Sequence, residues 1–116
     1  MSDCIFCKII EWEIPSEKVY EDEEIVAFKD IDPRAPVHVL VVPVEHIPTL
    51  NDIEPAKDAL LGRMVLVATQ IAREKGVAES GYRILMNCNK DGGQEVFHLH
   101  LHMIGGRNLG SMVRRA

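Results

Sequence analysis

Positive charge is in short supply. Thirteen Lys and Arg stand against eighteen Asp and Glu, a formal net charge of −5 at pH 7, which argues against a broad electrostatic grip on DNA, RNA or anionic membrane. A small phosphate-bearing ligand held by local groups remains open. Cysteine is scarce as well. Cys4, Cys7 and Cys88 are too few for a disulfide framework and suit a reducing compartment. No apolar run approaches the length of a membrane span, and the opening Met1-Ser2-Asp3-Cys4 matches neither a signal peptide nor a myristoylation site. Internal repeats, low-complexity tracts and linkers are absent too. The expectation is a cytoplasmic protein without nucleic-acid or membrane partners.

Hydrophobic residues make up 47% and charged residues 27% of 116 residues, too apolar for disorder and long enough for a single domain over 1–116. Ile5, Phe6, Ile9 and Ile10 fall at helical spacing within the first fourteen residues, predicting a short helix stopped by Pro15. Residues 18–20 and 25–29 are β-prone around the acidic turn Glu21-Asp22-Glu23-Glu24, which predicts a hairpin. Two prolines make 30–36 a loop, and 37–42 a strongly apolar strand closed by Pro43. The long helix is expected over 55–75, with Leu60, Leu61, Met64, Val67, Ala68 and Ile71 on its sheet-facing stripe and Gly76 at its end. Strands at 82–88 and 96–104 flank a turn at 89–94. The order gives an α+β fold: an antiparallel sheet with one long helix and a short N-terminal helix.

Three of the five histidines, His98, His100 and His102, alternate with apolar residues. A strand repeats every two residues, so the imidazoles share one face, while Phe97, Leu99, Leu101 and Met103 suit burial under the helix. A lone histidine says little, but three in alternation beside Gly92-Gly93 point to chemistry. Periodicity leaves open whether they ligate a catalytic metal or supply a nucleophile with helpers. The glycine pair lets backbone approach a ligand closely and its amides form an anion nest, so a phosphate beside an imidazole is expected.

The run Gly92-Gly93-Gln94-Glu95-Val96-Phe97-His98-Leu99-His100-Leu101-His102 resembles the signature of the histidine-triad family. Phe28-Lys29-Asp30-Ile31, Ala35-Pro36-Val37-His38 and Val41-Val42-Pro43 resemble its other half. Ser80-Gly81-Tyr82-Arg83 and Gly105-Gly106-Arg107 are similar to its nucleotide-binding, phosphoramidase branch, and the Pro-Arg that follows the triad in the dinucleoside polyphosphate hydrolase branch is missing. The resemblance implies hydrolysis of purine nucleoside phosphoramidates and aminoacyl adenylates. It makes His100 the nucleophile, lets the His98 carbonyl fix its tautomer, places His102 at the phosphate or departing group, and sets His38 behind. It implies further that Asp30 holds the ribose hydroxyls, that Phe28 and Ile31 line the base pocket, and that Asn87, Gly93 and Gln94 sit at the phosphate. Glu95 stands where many members of that branch carry serine. An ionised carboxylate cannot donate a hydrogen bond, but it would attract a cationic leaving amine.

Cys4-Ile5-Phe6-Cys7 has the gap that brings two thiolates to one metal ion, and by itself reads equally as a metal, redox or packing motif. His46 tips the balance towards metal. By resemblance to bacterial relatives, Cys4, Cys7, His46 and His98 hold a structural zinc that the chemistry does not require. Cys88 reads as packing. The resemblance also implies a homodimer with a continuous sheet, for an AMP or GMP unit as ligand. Two other classes compete: a nucleotide-binding regulatory module with vestigial hydrolysis, and a metal-dependent hydrolase built on the three histidines.

Overall fold

The computed structural model describes residues 3–112. Met1 and Ser2, part of the N-terminal motif considered above, and the C-terminal segment 113–116 lie outside the described residues. In chain order the elements are α1 (Ile5–Ile10), β1 (Lys18–Glu21), β2 (Ile25–Lys29), β3 (Val37–Pro43), two 3-10 turns (Leu50–Asp52 and Pro55–Lys57), α2 (Asp58–Glu74), β4 (Tyr82–Leu85), α3 (Asn89–Gly92) and β5 (Leu101–Gly105). The strands form one antiparallel sheet in the order β1-β2-β3-β5-β4, so the α+β expectation holds. Among the described residues no helix is long and apolar enough to cross a membrane.

Alternation along the strands sends side chains to two different covers. Ile25 and Ala27 of β2, Val39 and Val41 of β3, and Leu101 and Met103 of β5 pack with Leu60, Met64, Val67, Ala68 and Ile71 of α2. The intervening Val26, Phe28, Leu40 and Val42 pack with Phe6 and Ile9 of α1. A pleated strand buried on both faces reads as a continuous apolar run, as residues 39–42 do. The α2 stripe is the expected one except that Leu61 is only half-buried. Gly76 stops the helix at φ +77°, a left-handed conformation that glycine adopts without strain. The β1–β2 turn is closed by Asp22, whose Oδ1 accepts from the amides of Glu24 (2.7 Å) and Ile25 (2.8 Å).

The long helix begins at Asp58 rather than 55, its expected first turn forming the separate 3-10 turn Pro55–Lys57, and the largest departures from the sequence reading lie around the glycine pair. β4 ends at Leu85 rather than 88, residues 89–92 form a helical turn, and β5 begins at Leu101 rather than 96. Buried Gln94 is the cause. Its Oε1 accepts from the Asn89 amide (2.9 Å), and its Nε2 donates to the carbonyls of Pro48 (2.8 Å) and Val96 (3.0 Å). The segment around it is thereby held against the 48 loop instead of the sheet. Phe97 consequently does not pack under α2; it is 47% exposed. Leu99, Leu101 and Met103 are buried as expected. Cys88 lies outside the strand, half-buried and just ahead of α3.

Candidate active site

A cavity of about 1060 Å³ opens on the α1 side of the sheet, large enough for a nucleotide-sized ligand. Its walls bring together nearly every residue singled out from the sequence: Phe28, Asp30, Ile31, His38, Asn87, Gly93, Gln94, Glu95, His100 and His102. One end is apolar, formed by Ile5, Phe6, Ile9, Ile14 and Phe28; Ile31 lies in the lining at 93% exposure. His98 is fully buried and does not line the cavity.

Hydrogen bonds to the main chain settle which ring nitrogens carry protons. A carbonyl only accepts, so the His100 Nδ1–H donates to the His98 carbonyl at 2.7 Å. A neutral His100 ring therefore keeps its lone pair on Nε2. The Arg34 amide donates to His38 Nδ1 at 3.1 Å, which places the His38 proton on Nε2. That proton is donated to His102 Nδ1 at 2.9 Å, with Asp30 Oδ2 also 3.4 Å from His38 Nε2. His102 in turn carries its proton on Nε2, which is buried and has no hydrogen-bond partner among the described residues. The array thus presents one bare imidazole nitrogen on His100 and one unspent N–H on His102, with the two rings 4.9 Å apart.

Burial keeps these rings neutral. Desolvation pushes His38, His98 and His100 below the ordinary histidine value. His102 falls to about 4 through desolvation, helped by its neighbours His100 and His38. The nearby carboxylates Asp30 and Glu95 pull His100 the other way without outweighing burial. A neutral imidazole is the form that can act as a nucleophile.

Asp30 Oδ1 is engaged with the Asp32 amide at 2.8 Å, which fixes the carboxylate at the end of β2 beside the cavity. Gly93 and Gln94 line the cavity too, but their amides close the α3 turn on the carbonyls of Lys90 and Asn89 (both 3.0 Å), and the Gln94 side chain is engaged with the Asn89 amide and the Pro48 and Val96 carbonyls. Sequence reasoning missed Phe6, whose ring meets His100 edge-on at 5.0 Å and His98 at 6.0 Å. Its helical stripe signalled packing alone. It also missed the main-chain groups of Arg34 and Pro43, which leave no trace in residue type.

The second constellation assembles as well. Cys4, Cys7, His46 and His98 place four donor atoms within 4.8 Å of one another. Cys4 Sγ and Cys7 Sγ lie 3.4 and 3.5 Å from His98 Nδ1, Cys7 Sγ lies 3.4 Å from His46 Nδ1, and the two Nδ1 atoms are 3.2 Å apart. Tetrahedral zinc bonded at about 2.3 Å to sulfur and about 2.0–2.1 Å to nitrogen sets sulfur and nitrogen ligands about 3.5 Å apart and two nitrogen ligands about 3.3 Å apart. The set fits. His98 Nε2–H donates to the Pro43 carbonyl at 2.7 Å, which leaves Nδ1 aimed at the cluster as a lone pair. His98, His100 and His102 themselves do not converge on one ion: among the described residues, His98 joins the cysteines and His102 groups with Asp30 and His38. In that last group His38 Nε2 carries a proton, because the Arg34 amide occupies its Nδ1, and so offers no lone pair to an ion.

A HIT domain model matches residues 11–109. The purine nucleoside phosphoramidase of Escherichia coli (strain K12) is 52% identical over 111 residues, spanning 96% of this chain and 93% of that protein. A histidine triad protein from Clostridium difficile superposes with a TM-score of 0.93 at 47% identity, over 97% of this chain and 98% of that one. A zinc-bound histidine triad family protein from Mycobacterium smegmatis superposes with a TM-score of 0.80 at 33% identity, over 97% and 81%.

Neutral buried imidazoles tie stability to pH. With a folded value near 4 for His102 against about 6.5 when unfolded, protons bind the unfolded chain more readily. Stability should therefore be full above pH 6.5, fall as pH drops towards 4, and gain no further slope from this group below that. Urea unfolding across this range should show the slope, and His102→Asn should lessen it, the remainder coming from His38, His98 and His100. A wild-type stability independent of pH between 6.5 and 4 would contradict the burial argument.

Proposed function

The chain belongs to the HIT domain family, and we propose that it is a single-domain cytoplasmic hydrolase, 1–116, cleaving the P–N bond of purine nucleoside 5′-phosphoramidates and the mixed anhydride of aminoacyl adenylates. The observation that carries this reading is the His100 ring, held neutral by burial with Nδ1–H on the His98 carbonyl and Nε2 left bare beside a nucleotide-sized cavity. The name of the Escherichia coli relative supports the substrate class.

In this mechanism the His100 Nε2 lone pair attacks the α-phosphorus. The bond from phosphorus to the leaving nitrogen breaks, and a nucleotidyl-imidazole forms, which water then opens to the nucleoside monophosphate. The departing nitrogen needs a proton, and His102 Nε2–H is the donor at hand. His102, left one proton short, regains it from the water that opens the nucleotidyl-imidazole, while His38 Nε2–H holds its Nδ1 in place. Asp30 offers unused lone pairs to ribose hydroxyls. Phe28, at the apolar end of the cavity, and Ile31 in its lining take the base, and Asn87, Gly93 and Gln94 border the phosphate. Glu95, exposed and close enough to act on the charge of His100, favours leaving amines that carry a second positive charge.

Cys4, Cys7, His46 and His98 would hold a structural zinc, a reading supported by the zinc-bound Mycobacterium smegmatis relative. Four protein donors close the coordination sphere, so the ion would contribute to folding and leave the chemistry to the histidines. A homodimer is supported by β4, which has a ladder neighbour on one side only and gains by pairing with a second copy. Leu66 on α2 adds an apolar surface, 67% exposed.

Release of amine from an AMP–lysine phosphoramidate, measured in chelator, tests the core of this reading. Wild type should turn over, and His100→Ala should lose at least ~10⁴ in kcat, the scale expected when a nucleophile is removed from a catalytic set. Wild-type silence in chelator would sink it. With leaving amines matched in size but differing in charge, Glu95→Ser should erase the preference for the cation; an unchanged ratio would remove Glu95 from selectivity. Elemental analysis of protein purified without chelator should give about one zinc per chain, as a four-ligand site demands. Stripping the ion should lower Tm while kcat persists, and well under one zinc per chain would count against the site.

A further inference from the structure

Two sides of the same short helix face different chemistry. Cys4 is the N-cap of α1, its Sγ accepting from the Cys7 amide at 3.4 Å, and both sulfurs face His98 and His46. Phe6, between them in sequence, reaches the other way, meeting His100 edge-on at 5.0 Å and Phe28 at 5.4 Å. Ile5, Phe6 and Ile9 of this six-residue helix form part of the cavity wall. Only Phe6 and Ile9 are buried, so the sulfur–imidazole cluster is a principal tie between α1 and the rest of the site. That cluster is accessible: both cysteines are half-buried and His46 is exposed.

We infer that Cys4 and Cys7 form an oxidation site, through which a hydroperoxide lowers the affinity of the neighbouring cleft for nucleotide. The inference rests on the nucleotide reading proposed above. One thiolate attacks a peroxide oxygen; the S–O bond forms, the O–O bond breaks and hydroxide leaves. The second thiolate then displaces hydroxide from the sulfenic sulfur, forming the S–S bond. In sum, two thiolates lose two electrons, and hydrogen peroxide with two protons becomes two waters. Sulfurs already within 4.8 Å of each other need only side-chain rotation to join.

Oxidation removes both sulfur donors from His46 and His98, and α1 loses its tie to the buried histidine. The wall of Ile5, Phe6 and Ile9 loosens in consequence. The His98 ring remains on the Pro43 carbonyl and the His98 carbonyl remains on His100. Nucleotide affinity therefore moves while the orientation of His100 survives.

The test uses the full chain, reduced and loaded with zinc, before and after hydrogen peroxide. Expected are a loss of about 2 Da for two hydrogens, release of about one zinc per chain to a chromogenic chelator, and an AMP Kd raised about tenfold by calorimetry. The kcat for the phosphoramidate should hold, and thiol with added zinc should restore affinity. The Cys4→Ser, Cys7→Ser double variant should bind AMP as weakly as oxidised wild type and ignore peroxide. A disulfide that forms with AMP affinity unchanged overturns the inference, as does failure of the pair to oxidise or of the reduced protein to take up zinc. Should the reduced, zinc-loaded protein bind no AMP at all, the nucleotide reading itself falls, an outcome distinct from the others.

Discussion

One buried residue holds the site in register. His98 is fully enclosed, and each of its polar groups has a separate task. Ring Nε2–H is spent on the Pro43 carbonyl, Nδ1 faces the two sulfurs and His46, and the main-chain carbonyl takes the His100 proton. A buried polar group left without a partner costs far more than a satisfied one returns, so these bonds are mutually enforcing. Displacing the His98 ring disturbs the sulfur cluster; displacing its carbonyl frees the His100 ring to adopt the other tautomer. The segment is further held by the Leu99 amide on the Ile47 carbonyl at 2.6 Å. That bond anchors the histidine run just before it enters the sheet.

The sheet explains why such polarity is tolerated in so small a chain. Its α2 face is filled by Val39, Val41, Leu101, Met103 and the helix stripe, and that face alone supplies a continuous apolar core. The opposite face can then be divided between a modest cluster under α1 and an open cleft lined with imidazoles. Burial of the rings would be expensive if they were charged. It is tolerable here because neutral imidazoles pair among themselves and with main-chain groups, and the neutrality that burial imposes is the same state that nucleophilic attack requires.

Much of this was legible from sequence because period and punctuation survive folding. The alternation of Leu99, Leu101 and Met103 with the histidines predicted their two faces, and Gly76 marked the end of α2 where its φ is positive. What escaped was controlled by groups that residue type does not advertise. The Gln94 side-chain amide knits the 89–96 segment together, which shortens β4 and β5 and leaves Phe97 exposed, and residue type alone does not announce those bonds. The tautomers of His38 and His98 depend on an amide at Arg34 and a carbonyl at Pro43, both invisible in a pattern of side chains. The reach of Phe6 to His100 required knowing which way a six-residue helix lies.

The chain of imidazole protons begins at the Arg34 amide, and a main-chain N–H belongs to no particular side chain. Almost any residue at 34 would supply the same donor, so the polarity of the array is insulated from genetic drift at that position. One exchange escapes this insulation. The loop already carries proline at 33 and 36, and a proline at 34, alone among the twenty residues, would remove the hydrogen on which the direction of the whole relay depends.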